Sequence, residues 1–582
     1  MLPVNPRAPA AKLGRDHNSV HRSLGSAMFG IAAILLAGCA TTIVPPEMPP
    51  MVAQDPSLIT QAALRQAIAA REAALGPQAS KTDAVIFFYR TRDFRPAWTL
   101  ESQRDMREAV RATLARASAQ GLRPGEYPLP AESGFGAGRE AAQAEIAFSG
   151  ALLRYAQDVH NGRLRPGDLY EDVELPVRNF DPAVDLVKAL RADSLSNFLS
   201  TLPPAHPQYA RLVRALARYR AIEAKGGWPS VPGPGEIKLD GKDMRQSALV
   251  QRLAAEDQDF AAVGSPNATD IRDAVKRFQS RNGLPEDGRA GGATLQALNI
   301  SAAERAGEIA ANMERWRWMP DSFEHRYVAV NVPDQSVDFV RDGRTVLHSE
   351  VVVGRPTSAT PITRSEIVSV VVNPPWNIPG DIAARDLLPQ LIKNRNYLAQ
   401  KHMVITDTPK DPYGRKIDWK KVVPAEFPYA IQQLPGPATA LGAVMLDSPN
   451  DFDVYLHDTP NKKLFDLTTR EISNGCIRVQ QIFPLASLAL TDDASNGMAM
   501  LKDVVKTRET KRIKLDAPLP VYFLYWTAWV DTDGEVQFRP DRYERDAPLL
   551  AALVKGQAAR KARKAAEGAS DEANPEGDNI SP

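Results

Sequence analysis

Cysteine is nearly missing from this chain of 582 residues, which carries only Cys39 and Cys476. Cys39 lies in an N-terminal export segment with a job of its own, so Cys476 has no disulfide partner in the body of the protein. An unpaired thiol in an exported protein calls for an explanation, either chemical or as a small buried hydrophobe. Histidine is scarce too, with 8 scattered copies. One thiol beside so few imidazoles is too little for a structural zinc site, so no metal and no cofactor is expected. Charge of one sign is also missing. The 71 basic and 70 acidic residues leave a net charge of +1, which gives no reason to expect nucleic acid as a partner. Past the N-terminus no apolar run reaches membrane-spanning length.

What is present begins with organisation. The length suggests several domains, and the 47 prolines point to many loops and linkers. Arg15, His17, His21 and Arg22 precede an apolar run from Met28 to Ala37, which ends in Leu36-Ala37-Gly38-Cys39. A charged region, a short apolar core and small residues before a cut make an export signal. Ending on cysteine, it resembles a bacterial lipoprotein signal. That resemblance implies a signal peptide over 1–38, lipidation of Cys39 and anchoring by several acyl chains. Ala40 resembles the outer-membrane sorting pattern, giving a periplasmic, outer-membrane-anchored location. An ordinary cleaved signal, or a start at Met28, is the alternative. Residues 39–57 read as a Pro- and Met-rich tether.

The chain declares its chemistry between His457 and Cys476. Val454-Tyr455-Leu456 reads as a strand that would aim His457, and Arg470-Glu471-Ile472-Ser473-Asn474-Gly475-Cys476-Ile477-Arg478-Val479 follows. A thiol is a useful nucleophile as thiolate, and an imidazole that takes its proton supplies one near neutral pH. Gly475 permits close backbone approach, and the amides of Asn474, Gly475 and Cys476 could converge on an oxyanion. A turn into Ile482, Leu485 and Leu488 would put the thiol at a helix start, where the dipole favours thiolate. The bland assignment is an inert buried cysteine and a structural histidine.

A histidine, a gap, then Ser-x-Gly-Cys-x-Arg-Val resembles the signature of the L,D-transpeptidases with a YkuD-type catalytic domain, which act on peptidoglycan. The chain departs from the family at Asn474, where histidine is usual. The resemblance implies Cys476 as nucleophile and His457 as general base, with crosslinks formed between donor and acceptor stem peptides and D-alanine released. It implies a tetrapeptide donor bearing diaminopimelate and acylation of Cys476 by carbapenems. It also implies that the backbone oxygen of Asp458 orients His457. The Asp458 carboxylate competes for that role. Arg478 would hold a substrate carboxylate or brace the loop, and Ser473 would shape the turn. Hydrolysis, D-amino acid exchange or protein attachment through the same acyl-enzyme stay open, as does an inactive peptidoglycan-binding lipoprotein.

The expected fold class is α+β and multidomain. A helical scaffold at 58–236 includes helices from Pro182 to Ser200 and Gln208 to Lys225, and an aromatic patch from Phe87 to Trp98 that reads as core. Residues 237–300 make a three-helix unit through Ile271, Val275, Phe278, Leu295 and Leu298. It resembles the small peptidoglycan-binding domain, with glycan binding or a spacer role both open. A connecting helix at 301–320 leads to a mostly-β catalytic domain at 321–550. Its first strands are joined at Asp342-Gly343, a hairpin turn. A helical and irregular cap is inserted at about 379–428, and 556–582 reads as a disordered tail.

Overall fold

The structure is a computed structural model that describes residues 55–555 apart from position 177. The export segment, Cys39, nearly all of the tether and the tail at 556–582 lie outside the described residues.

The scaffold helices form because their starts are capped and their apolar faces meet. Asp83 accepts from the Val85 and Ile86 amides to open helix Ala84–Thr91, and Asp181 does the same for Ala183 and Val184 ahead of helix Pro182–Arg191. These helices pack on Gly138–His160 around Phe88, Tyr89, Trp98, Phe148 and Leu152, so most of the aromatic patch is core, while Phe87 is exposed. Buried Glu145 accepts from the Ala97 and Trp98 amides and the Tyr89 hydroxyl, which offsets the cost of its burial.

Two expectations change here. The stretch from Pro182 to Ser200 is two helices, because the chain turns at Asp193 (φ 49°) before helix Leu195–Thr201. Helix Pro207–Ala224 leaves the scaffold core as well. Its Tyr209, Leu212 and Leu216 pack with Ile309, Met313 and Trp316 of helix Ala302–Arg317 and with Val530 and Phe538. Trp316 stacks on Trp526 at 4.4 Å between ring centres, which ties the connecting helix to the catalytic domain.

Residues 237–300 enclose Leu249, Phe260, Ile271, Val275, Phe278 and Leu298. The unit has helices Gln246–Ala254, Gln258–Ala262, Ala268–Arg281 and Gly292–Leu298. The additional short helix starts where the Asp257 carboxylate accepts from the Phe260 amide, a local cap that apolar spacing does not reveal.

The remaining frame is β. In chain order its strands are β1 Val173–Glu174, β2 Arg326–Asn331, β3 Ser336–Arg341, β4 Arg344–Gly354, β5 Ile362–Val372, β6 Trp376–Ile378, β7 Met403–Ile405, β8 Ile431–Gln433, β9 Val444–Asp447, β10 Leu456–His457, β11 Glu471–Ser473, β12 Ile477–Val479 and β13 Lys511–Leu524. The main sheet runs β1-β5-β13-β2-β3-β4-β12-β10-β9, with β11 on β4. Since β9 also pairs with β5, the ladder closes into a ring. The β3–β4 turn at Asp342-Gly343 has positive φ at both residues, 52° and 69°, as that hairpin type requires. Inside the ring Val328, Phe339, Val351, Leu456 and Ile477 meet Ile482, Leu485 and Leu501 of helices Ile482–Leu490 and Ala494–Thr507. The scaffold contributes β1 to this sheet in parallel with β5, Val173 opposite Ile362.

The inserted cap has a sheet of its own, β6-β8-β7. Its core holds Leu388, Leu391, Leu398, Ile405 and Trp419. Strands β6 and β8 belong to it, so the insertion starts before 379 and ends after 428.

Candidate active site

Strands β10 and β12 lie side by side in parallel, with Leu456 opposite Ile477 and His457 opposite Arg478. Leu456 and Ile477 are fully buried in the ring's core. Side chains alternate along a strand, so Tyr455, His457, Cys476 and Arg478 share the other face. The Ile477 amide donates to the Tyr455 carbonyl at 3.0 Å, which sets Cys476 beside Tyr455. His457 is then the diagonal neighbour of the thiol, a relation in which side chains of this size come within reach.

The imidazole is held firmly. Its Nδ1 lies 2.6 Å from the Asp458 carbonyl oxygen, which can only accept, so the proton sits on Nδ1 and Nε2 carries the lone pair. Burial, then the nearby Arg478, push His457 down to about 4, while the Asp458 and Leu441 carbonyls pull the other way. At neutral pH the ring is therefore neutral. The Asp458 carboxylate is engaged elsewhere. It meets Lys462 Nζ at 2.5 Å and accepts from the Ala443 amide at 2.9 Å. Of the two orienters the sequence leaves open, the backbone oxygen is the one in contact.

The thiol does not sit at a helix start. Strand β12 follows it directly and the helix begins only at Ile482, so no dipole assists ionisation. Burial raises the Cys476 thiol above its ordinary value; the Tyr455 backbone and hydroxyl and Arg478 oppose this without reversing it. Sγ lies 3.7 Å from the Asp453 carbonyl oxygen, and the residue is partly exposed.

The loop before the thiol is braced from inside. Gly475 has φ 113°, which favours glycine. The Ser473 hydroxyl donates to the Cys476 carbonyl at 2.7 Å and accepts from the Gly475 amide at 3.1 Å. Ser473 thus shapes the turn, and the Gly475 amide is already engaged rather than aimed at an oxyanion. Buried Thr360 donates to the Gly475 carbonyl at 2.7 Å and accepts from the Gly354 amide at 2.9 Å. The Asn474 side chain is fully engaged: its oxygen accepts from Arg355 at 2.9 Å and from Arg385 of the cap at 3.0 Å, and it also hydrogen-bonds Asp386. Among the described residues the Arg478 guanidinium makes no hydrogen bond or ion pair, and its Nε is buried without a partner. A bracing role therefore has no contact to rest on.

Sequence reasoning placed His457, Asp458, Ser473, Asn474, Gly475, Cys476 and Arg478, and the fold gathers all of them at this edge of the ring. It missed Tyr455, Thr360, Arg355 and Arg385. Only Tyr455, two positions before His457 on the same strand face, left a local signal; its ring centre is 5.9 Å from that of His457. Cys39 lies outside the described residues.

Known proteins share these parts. Residues 325–504 match the "L,D-transpeptidase catalytic domain" of the YkuD family, residues 83–216 match a "Scaffold domain", and residues 247–298 match a "Putative peptidoglycan binding domain". A curated Haemophilus influenzae protein named "Putative L,D-transpeptidase" is 34% identical over 250 residues, which is 42% of this chain and 50% of that protein. The chain thus spans about half the length of that relative. Among solved structures, an Enterococcus faecium L,D-transpeptidase aligns over 35% of this chain and 50% of its own, at 14% identity and a TM-score of 0.17. One from Stackebrandtia nassauensis aligns over 51% and 96%, at 16% identity and a TM-score of 0.19. Scores this low carry no argument. The family matches do, and by them residues 325–504 are a YkuD-type L,D-transpeptidase catalytic domain, joined in this chain to a scaffold domain and a peptidoglycan-binding domain.

Proposed function

We propose that this protein is a lipid-anchored periplasmic enzyme, held in the outer membrane by Cys39, that crosslinks peptidoglycan stem peptides through an acyl-enzyme on Cys476. Sγ attacks the carbonyl of a donor tetrapeptide stem while His457 Nε2 takes the thiol proton. The resting pair is neutral, so the proton moves during attack rather than before it. The oxyanion is stabilised by the Cys476 amide, since the Ser473 hydroxyl occupies the Gly475 amide. As the C–N bond breaks, His457 returns its proton to the departing D-alanine amine. An amine of a second stem then attacks the thioester, His457 accepts its proton, and the sulfur leaves and is reprotonated. Arg478, half-buried and unpartnered beside His457, binds a substrate carboxylate.

One observation supports this reading above the rest: imidazole and thiol share a face on adjacent parallel strands, and Nδ1 is committed to a carbonyl. The peptidoglycan-binding match at 247–298 supports a wall substrate, and glycan contact there belongs to the same proposal. The test is incubation with disaccharide tetrapeptides and mass analysis of the products. Crosslinked dimers with D-alanine release are expected. Hydrolysed or exchanged monomers alone would move the acyl-enzyme to another acceptor. Meropenem should add its mass to the wild type and not to Cys476→Ala, and a wild type that gains no mass would make the protein an inert wall adaptor.

A further inference from the structure

Two guanidinium groups converge on one uncharged oxygen beside the nucleophile. Arg355, just after β4, and Arg385, in the cap, both donate to Asn474 Oδ1, at 2.9 and 3.0 Å. Arg355 also reaches the Ser473 carbonyl at 3.3 Å. Arg385 is held in turn by Asp386, with Nε–Oδ1 at 2.9 Å and Nη2–Oδ2 at 3.0 Å. That carboxylate compensates Arg385. Arg355 and Arg478 make no ion pair among the described residues, although Asp386 lies close enough to attract Arg355 as well, and Arg355 lies close enough to Arg478 to repel its charge. The cluster therefore carries more positive charge than its own side chains neutralise. An amide oxygen is a poor acceptor for two cations, and a carboxylate would make charge-assisted bonds about twice as strong at the same position.

We propose that Arg355 and Arg385 form a carboxylate-binding fork, which takes the free carboxylate of the donor peptide nearest the scissile carbonyl and releases the Asn474 side chain. The proposal rests on the function stated above and names a determinant of its donor specificity. Asn474 stands two positions before Cys476 in the same tight turn, so the fork lies close to the nucleophile. A carboxylate bound there comes from the reacting residue or its neighbour. One arm of the fork belongs to the ring and the other to the cap, so an acidic donor bridges the two, and a neutral one does not.

Alkylation of the full chain tests the fork without any stem peptide. Iodoacetate and iodoacetamide react at the same sulfur and differ in the carboxylate, and the tryptic peptide Glu471–Arg478 reports on Cys476 separately from Cys39. The ratio of iodoacetate to iodoacetamide rates should fall at least tenfold in R355Q/R385Q and less in R385Q alone. It should also fall in wild type as salt is raised. An unchanged ratio in the double variant, including equal slowing by both reagents, overturns the fork. A second measurement compares the acidic donor with its amidated form. KM should rise at least tenfold on amidation for wild type and change little for the double variant; equal discrimination by both proteins overturns the assignment to the donor. If neither donor gives product while the alkylation ratio still falls, the fork stands and the transpeptidase reading fails.

Discussion

Strands β10 and β12 are laddered on both flanks and share a core with two helices, whereas the cap rests on a small core of its own and meets the catalytic loop through Asn474, Arg355 and Arg385. The ring fixes the reacting groups by apolar burial and backbone pairing. The cap is joined by polar contacts that cost little to exchange. On the proposed function, the difference assigns position to one region and substrate selection to the other, and each should be breakable without the other.

The largest effect belongs to the ring. His457→Gln keeps most of the imidazole's volume and removes the proposed base, so D-alanine release should fall by about 10²–10⁴ while the fold persists. A loss under tenfold, with Tm unchanged, would remove His457 from the proton path. On the other side of the comparison stands Trp419, 2% exposed in the cap's core. Trp419→Ala should cost about 3–5 kcal/mol, confined to the cap. Hydrogen exchange would then speed up in β7 and β8 while β5 and β13 stay protected. Equal loss in both regions would mean that cap and ring unfold as one.

Acid should separate the regions in another way. His457 is held down at about 4, and so are His160 and His206, which sit where the scaffold meets the catalytic domain. Each has a folded pKa below the ordinary histidine value, so the unfolded state binds more protons between about 6.5 and 4. Stability contributed by the neutral rings is complete above that window and is lost as pH falls through it. Unfolding at pH 5 should therefore need less denaturant than at pH 8, and His206→Gln should shrink that difference. Activity should hold further into acid, falling tenfold per unit only below about 4, when His457 itself gains a proton.

How much of this was legible follows from the range of each interaction. That His457 and Cys476 come together could be read because both lie in one short stretch, and the Asp342-Gly343 turn because its backbone demands those residues. The partners that complete the site come from far away in sequence: Arg355 and Arg385 reach Asn474 across more than a hundred and nearly ninety positions. Strand β1 is two residues long and finds β5 in another domain, so no periodicity could announce it. The helix-start expectation for Cys476 failed because Ile477, Arg478 and Val479 fit a gap between β10 and β4 before the chain can turn. Apolar residues in a short run do not tell a strand from a helix.

The smallest effect concerns Asp458, whose two acceptors divide the same labour as ring and cap. Its backbone oxygen holds the imidazole, and its carboxylate ties the Gly442–Ala443 turn and Lys462. Asp458→Asn leaves the backbone oxygen in place and keeps an acceptor for the Ala443 amide. What it loses is the charge opposite Lys462, a lysine about half exposed, and a pair of that kind contributes at most about 1 kcal/mol. D-alanine release should therefore drop less than tenfold, with the acid limb of the pH profile moved only slightly lower, since one negative charge near the ring has gone. If the carboxylate were instead the orienter, the same substitution would leave Nδ1 facing an amide able to donate, and the ring would lose its tautomer along with most of its activity.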